Sequence, residues 1–422
     1  MIKKIFVVVA MLALTAGFAQ DASVSPYSYF GTGDLRFKGM VENRMMGGVS
    51  VFADSVHMNI KNPAALSKLR LTNFSVAVSN RYLSLETEET TESAGQVNFD
   101  YLTLGFPLAR RLAVQFGVLP FSSTDYNLRS LNQDNDPIEL NRFSGNGGIN
   151  KVFFSAGWGL TRNISIGATV NYNFGTIERT ASRQLDGVQY ASRESSVSEY
   201  NGWDYNLALH YQGKLSENLQ LQTAFTFAPE ANLTSENFTE ISTIFVNASG
   251  NEQVRERFEV DLEAAGLDNT KVNRPYSYSA ALGIGKPYTW FVGGQYEFTK
   301  SSDFVLEYPL NVLGTYEDGQ LISVGGFWIP DYDSLTSYWK RATYRLGVKT
   351  EDTGLLVNGN SLRDFGMTLG VGLPLGGFSD ANIGVELGRR GELSNGGIQE
   401  NYINVFISLS LSDRWFVKSL IR

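Results

Sequence analysis

The sequence predicts an all-β protein, a transmembrane antiparallel β-barrel of about fourteen strands with an amino-terminal segment folded into its lumen. Three observations lead there. The composition is rich in Gly (42), Phe (27) and Tyr (20) with no cysteine, which suits strands that are greasy on one face only. Ten-residue stretches alternate apolar and polar residues, the length at which a tilted strand crosses a bilayer. Short connections then alternate with long polar ones, as at the two rims of an outer-membrane barrel.

In chain order, "MIKKIFVVVAMLALTAGFAQ" has the basic start, apolar run and small residues of a cleavable secretory signal, with cleavage expected near Ala19. Residues 1–19 are thus read as signal peptide, 20–71 as a hatch or plug, and 72–422 as the barrel. Without Lys3 and Lys4 the net charge of -8 becomes -10. That acidity makes nucleic acid an unfit partner. The absence of cysteine excludes disulfides and thiolate metal sites.

The segment 20–71 has neither a helical nor a strand period. Gly47, Gly48 and Pro63 break regular structure, while Tyr27, Met45, Met46, Val51 and Phe52 favour burial, each large side chain gaining roughly 1.5–3 kcal/mol when covered. A barrel lumen offers the cover. Proline fixes its own φ and moves the preceding residue out of helical geometry, so Asn62-Pro63 marks a corner before the first strand.

Period-2 alternation is clearest in "NISIGATVNYNF", where Ile164, Ile166, Ala168, Val170, Tyr172 and Phe174 share a face. It recurs in "KVFFSAGWGL", "NLQLQTAFTF" and "NYINVFISLSL". Strands are expected near 72–86, 96–106, 111–122, 149–160, 163–178, 197–213, 218–228, 275–285, 289–300, 316–329, 341–350, 364–375, 381–390 and 401–411. Tight turns fall at 107–111, 161–163, 213–218, 285–288 and 376–381; the link around 330–338 is long where a tight turn is due. The longest loop, 229–274, contains "NEQVRERFEVDLEAAGL", whose Val254, Phe258 and Leu262 predict a helix. The six tryptophans, Trp158, Trp203, Trp290, Trp328, Trp339 and Trp415, fit interfacial girdles, and the pairs Arg110-Arg111 and Arg389-Arg390 are expected at the rims.

Chemistry is scarce. With only His57 and His210 in the chain, the sequence argues against metal clusters and histidine-dependent triads, so no catalytic residue, metal ligand or cofactor is assigned. The glycine patterns "GNGGIN" and "GVGLPLGG" lack the Lys-Ser/Thr ending of a phosphate loop and lie in strands.

"GGVSVFADS" followed by "NPAALSKL" resembles the amino-terminal hatch of the FadL/TodX (OmpP1) family of outer-membrane transporters. "SPYSYFGTGDL", "GIGKPYTWFVGGQYEF", "YRLGVKTEDTGLLVNGNSLRDFGMTLGVGLPLGG", "IGVELGRRG" and "NYINVFISLSLSDRWFVK" are similar to the Bacteroidetes branch of that family. The resemblance implies residence in the outer membrane of a Gram-negative bacterium and insertion by the barrel assembly machinery. It also implies passive uptake of small hydrophobic compounds, such as long-chain fatty acids or aromatic hydrocarbons, with hatch-gated release sideways into outer-membrane lipid. Met45, Met46, Val51 and Phe52 are then candidate ligand contacts, and Gly47, Gly48, Asn62, Pro63 and Ala64 shape the hatch. Ser55 stands where the family has a second acidic residue, and the link 179–196 is polar where the family builds an apolar groove. The short, polar link 179–196 suits an alternative role at least as well, as an accessory FadL-like subunit of a type 9 protein secretion complex.

Overall fold

The computed structural model describes residues 25–133, 135–246, 252–309 and 312–414. Residues 1–19, read from the sequence as a signal peptide, and Trp415 lie outside the described residues. Among them, fourteen strands form one antiparallel barrel: β1 (Thr72–Glu86), β2 (Thr91–Ala109), β3 (Leu112–Ser123, continued by Tyr126–Asn132), β4 (Glu139–Gly159), β5 (Ile164–Leu185), β6 (Ala191–Lys214), β7 (Gln220–Ala228, continued by Ala231–Val246), β8 (Asn269–Arg274, continued by Ser277–Lys286), β9 (Trp290–Thr299), β10 (Gly319–Trp328), β11 (Thr343–Val357), β12 (Asn360–Gly376), β13 (Ser379–Arg390) and β14 (Gln399–Asp413). β14 closes on β1, in register from Thr72↔Asp413 to Glu86↔Gln399.

Burial is inverted relative to a soluble protein. Val152, Phe154, Leu207, Leu209, Ile322 and Val324 are exposed on the outer face, while Ser155, Thr169, Asn171, Gln222, Ser323 and Thr368 are buried inside. The alternation found in the sequence therefore turns its apolar side outward, where only lipid can cover it. Trp158, Trp203, Trp328 and Trp339 are also exposed. No helix among the described residues is long and apolar enough to cross a membrane.

Several strands outrun the bilayer. β4, β5 and β6 have 21, 22 and 24 residues, so most of the link read as loop 179–196 is paired hairpin, in register from Arg179↔Ser196 to Arg183↔Ser192. The helix expected in 251–267 is instead a strand, Glu252–Glu259, followed by one helical turn, Leu262–Ala265. The strand pairs with the end of β7, placing Phe258 opposite Ile241 and Val254 opposite Ile244, and cross-strand partners of this kind outweigh a four-residue spacing. The turn starts where Asp261 accepts a hydrogen bond from the Ala264 N–H at 2.9 Å and stops at Gly266, whose φ of 68° ends it.

Candidate functional site

Residues 25–71 run through the barrel interior, with short helical turns at Pro26–Tyr29, Val41–Arg44 and Pro63–Lys68. Their backbone groups bond to inward-pointing side chains of the wall. The Gly47 N–H donates to Thr368 (3.1 Å), the Ser50 N–H to Gln295 (2.9 Å) and the Ala53 N–H to Gln222 (2.8 Å); His210 meets the Val51 carbonyl at 3.1 Å. A segment without regular structure thereby satisfies backbone polarity that would otherwise be buried unpaired.

Its close approach depends on glycine. Gly283, Gly293, Gly325 and Gly347 face one another across β8, β9, β10 and β11. A Cβ on Gly325 would strike the Met46 backbone, and one on Gly347 the Met46 and Gly47 backbone. Gly47 and Gly48 themselves take φ of 69° and 94°, left-handed values that favour glycine. A second glycine pair, Gly157 and Gly167, receives Pro63 and Ala64. Asn62 has φ -122° and ψ 85°, outside the helical region.

The four residues expected to touch ligand are packed. Met45, Met46 and Val51 are at most 2% exposed. Phe52 is half-buried, its ring 5.0 Å from that of Phe291 and 4.9 Å from that of Phe327. Met46 and Val51 join Ala224, Ala281 and Phe291 in one cluster, whereas Met45 packs in another with Val41 and Phe406.

Around the segment the lumen is charged. Arg390 and Arg81 hold Asp34 at 2.7 and 3.1 Å. Arg44 and Lys349 hold Glu386 at 3.0 and 2.9 Å, Lys61 holds Glu297 at 2.8 Å, and Lys151 and Arg274 share Asp204. Arg390, the last residue of β13, stands at a strand end and turns its side chain inward. A cavity of about 280 Å³ is lined by charged groups, among them Asp34, Lys61 and Glu386, and equally by apolar ones such as Phe30, Phe37 and Leu321.

The wall has a break. β2 pairs with β3 only from Leu102↔Val118 to Ala109↔Leu112. Beyond that point Thr91–Tyr101 pairs with β1, while Leu119–Ser123 and Tyr126–Asn132 pair with β4, and among the described residues no ladder joins the two edges. The luminal segment enters there. Its two-residue strand Asp34–Leu35 pairs with Ser123 and Ser122, and the Arg36 N–H donates to the Phe121 carbonyl at 2.9 Å. Gln96 of β2 bridges the break, accepting from Arg36 at 2.8 Å and donating to Asp125 at 3.3 Å. Leu35, Val97 and Phe99 are exposed there, and Phe121 lies buried behind them in a cluster with Ile149, Ile177 and Tyr200. Nothing local in the sequence marks this place, because both edges keep their strand pattern.

A closed antiparallel barrel with an apolar exterior, an occupied lumen and a side break is a transmembrane β-barrel protein. Solved structures agree on the fold. The toluene transporter TbuX of Ralstonia pickettii superposes with a TM-score of 0.58 at 13% identity, over 89% of this chain and 98% of its own. The toluene transporter TodX of Pseudomonas putida gives 0.58 at 14% identity, over 91% and 100%. A FadL homologue of Pseudomonas aeruginosa gives 0.54 at 12%, over 88% and 97%. No curated protein matches the sequence. The sequence model of the BamG family matches residues 1–422, and the chain belongs to the BamG family.

Proposed function

We propose that this protein is a passive outer-membrane channel for small hydrophobic compounds, with residues 20–71 as its hatch and the wall break as its lateral exit. The observation that carries this reading is the Asp34–Leu35 strand, which fills the break with residues of the hatch rather than of the wall. An apolar molecule passing the Phe121 cluster would leave between β2 and β3 once that strand let go. No energy source is encoded, so movement is downhill. Fatty acids and aromatic hydrocarbons are the ligand class, in keeping with the toluene channels of the same fold. Met45, Met46, Val51 and Phe52 would meet such a ligand only as the hatch lifts from the glycine row. The test is saturable uptake of a hydrophobic fluorescent probe by liposomes carrying the protein. Leu35→Arg, which sets a charge on the exposed face of the break, should depress uptake. Unchanged saturable uptake would remove the lateral exit.

A second reading is favoured by the ion pairs that hold the luminal segment to the wall and by the family, whose name points to barrel assembly. In it the barrel is a membrane-embedded partner of an assembly or secretion complex. Copurification in native detergent separates the two. A large stable complex favours the partner role, and a lone barrel carrying lipid favours the channel.

A further inference from the structure

Three acidic side chains and one histidine converge at the end of the lumen where the strands are joined by the shortest turns. The His57 ring lies between two carboxylates, with Nδ1 2.6 Å from Asp54 Oδ2 and Nε2 3.3 Å from Asp380 Oδ2. Asp54 is itself held: its Oδ1 accepts from the backbone N–H groups of Val56 and His57, at 2.9 and 2.7 Å. Glu42 comes from the short helix Val41–Arg44, and one ligand atom from each of Glu42, His57 and Asp380 lies within 4.8 Å of the other two.

What marks this group off from an ordinary acidic cluster is a pair of unmet oxygens. Glu42 is 6% exposed. Its Oε1 accepts from Asn382 at 2.9 Å and from Ser410 at 3.4 Å, yet its Oε2 is buried with no hydrogen-bond partner, and so is Asp380 Oδ1. Buried carboxylate oxygens without donors are costly, and such atoms call for a ligand or an ion. His57 pairs with Asp54 and Asp380 when protonated, and beside it Arg345, which reaches the group through Asn382 at 2.9 Å, is one fixed cation facing three carboxylates.

We propose that Glu42, His57 and Asp380 bind a divalent transition-metal ion of the Zn²⁺ class. An imidazole whose far nitrogen is held by a carboxylate presents its other lone pair to a metal, with tautomer and ring orientation fixed. Asp54 is in that outer position. A mixed nitrogen and oxygen donor set suits Zn²⁺ and its neighbours, whereas Ca²⁺ and Mg²⁺ take oxygens. Three protein ligands leave a fourth place for water. The side chains of His57 and Asp54 are 28% and 27% exposed, so an ion has a way in.

Two ligands belong to the luminal segment and one to β13, 323 positions from His57. The ion would therefore clip segment to wall, which serves a channel and an assembly partner alike. The sequence disfavours metal because it offers few histidines; this site needs one, and takes its other ligands from far along the chain.

The test uses the full mature barrel in detergent, stripped with chelator and titrated with Zn²⁺ alone by calorimetry, with the heat-modifiable gel shift as the check on folding. One Zn²⁺ per chain is expected. Glu42→Gln, nearly isosteric, and His57→Ala should each weaken binding by at least about tenfold, and Asp54→Asn by about 10–100-fold as an outer partner does. Equal binding by all variants would overturn the assignment. Should a variant fail to fold, the unaltered chain still decides: Co²⁺ bound at this site gives a visible d–d absorption that Zn²⁺ displaces, and a chain showing neither the band nor stoichiometric Zn²⁺ uptake binds no metal here.

Discussion

Arg390 of β13 donates to Asp34 of the luminal segment at 2.7 Å, although 356 positions separate them. Arg81 of β1 meets the same carboxylate at 3.1 Å, so one acidic side chain ties the luminal strand to two wall strands. All three side chains are nearly buried, at 11–12% exposed. Removing one partner of a buried pair costs about 3–5 kcal/mol, because the other is left uncompensated. Asp34→Asn should therefore lower the thermal transition of the heat-modifiable band and raise conductance in planar bilayers. A variant that conducts like the parent would show that the pair does not seat the segment.

The same pair sets an acid limit. Burial raises the Asp34 carboxyl, but Arg390, Arg81 and Arg36 outweigh it and hold it well below its ordinary value of 3.8. The folded chain thus resists a proton that the unfolded chain accepts. The pair stabilises in full above about pH 4, and its contribution is lost as pH falls further. Conductance measured from pH 6 down to pH 3 should rise at the acid end, and Asp34→Asn should lack that rise.

Lys38 gives the opposite slope. Its ammonium lies 5.0 Å from the Phe121 ring, which Lys151 and Arg274 also approach at 4.4 Å. Burial, followed by the Arg274 charge, lowers it from 10.5 to about 8. Below pH 8 folded and unfolded chains are both protonated, and the cost of burying the charge is fully present. Between about pH 8 and 10.5 the folded chain loses the proton first, and stability rises. Lys38→Met should be more stable than the parent at pH 7 and lose that advantage by pH 10, read as thermal transitions of the two proteins.

The glycine row predicts a separation of barrel from segment. Gly347→Val sets a side chain against the Met46 and Gly47 backbone, and overpacking of that kind costs about 1–3 kcal/mol. Strand pairing is untouched. The variant should keep its heat-modifiable band and gain conductance; loss of the band would mean that barrel and segment fold as one unit.

Orientation is open to protease. The link 260–268 lies beside the outer half of β7, its Val260 N–H meeting the Thr239 carbonyl and its Asp268 carbonyl the Asn237 N–H, and 329–342 lies at the opposite rim. Protease added to intact cells should cut the first and spare the second. The reverse would turn the barrel over.

The barrel was legible because lipid selects an alternating face, and Ile166, Val170 and Phe174 carry it in the open. The buried character of Met45, Met46 and Val51 was legible from hydrophobicity set among Gly and Pro. Long-range pairing was not. Asp34 and Arg390 have no local signal of each other, Arg389-Arg390 read as a rim pair, and the break beside β2 hides in a normal strand pattern. The helix expected across Val254, Phe258 and Leu262 failed because a spacing of four cannot report the strand waiting across the hairpin. Glu42, His57 and Asp380 stand apart in sequence for the same reason.

The Asp34 pairing also orders events in time. Residue 34 is synthesised and exported long before residue 390, and contacts of such sequence separation form late. Arg81 and Arg390 belong to β1 and β13, the strands on either side of β14. They come together only after the last strand has joined the first. Asp34 can meet β3 and Arg81 before the seam shuts, but it gains Arg390 as well only once β14 joins β13 to β1, so the complete contact is a record that closure has succeeded.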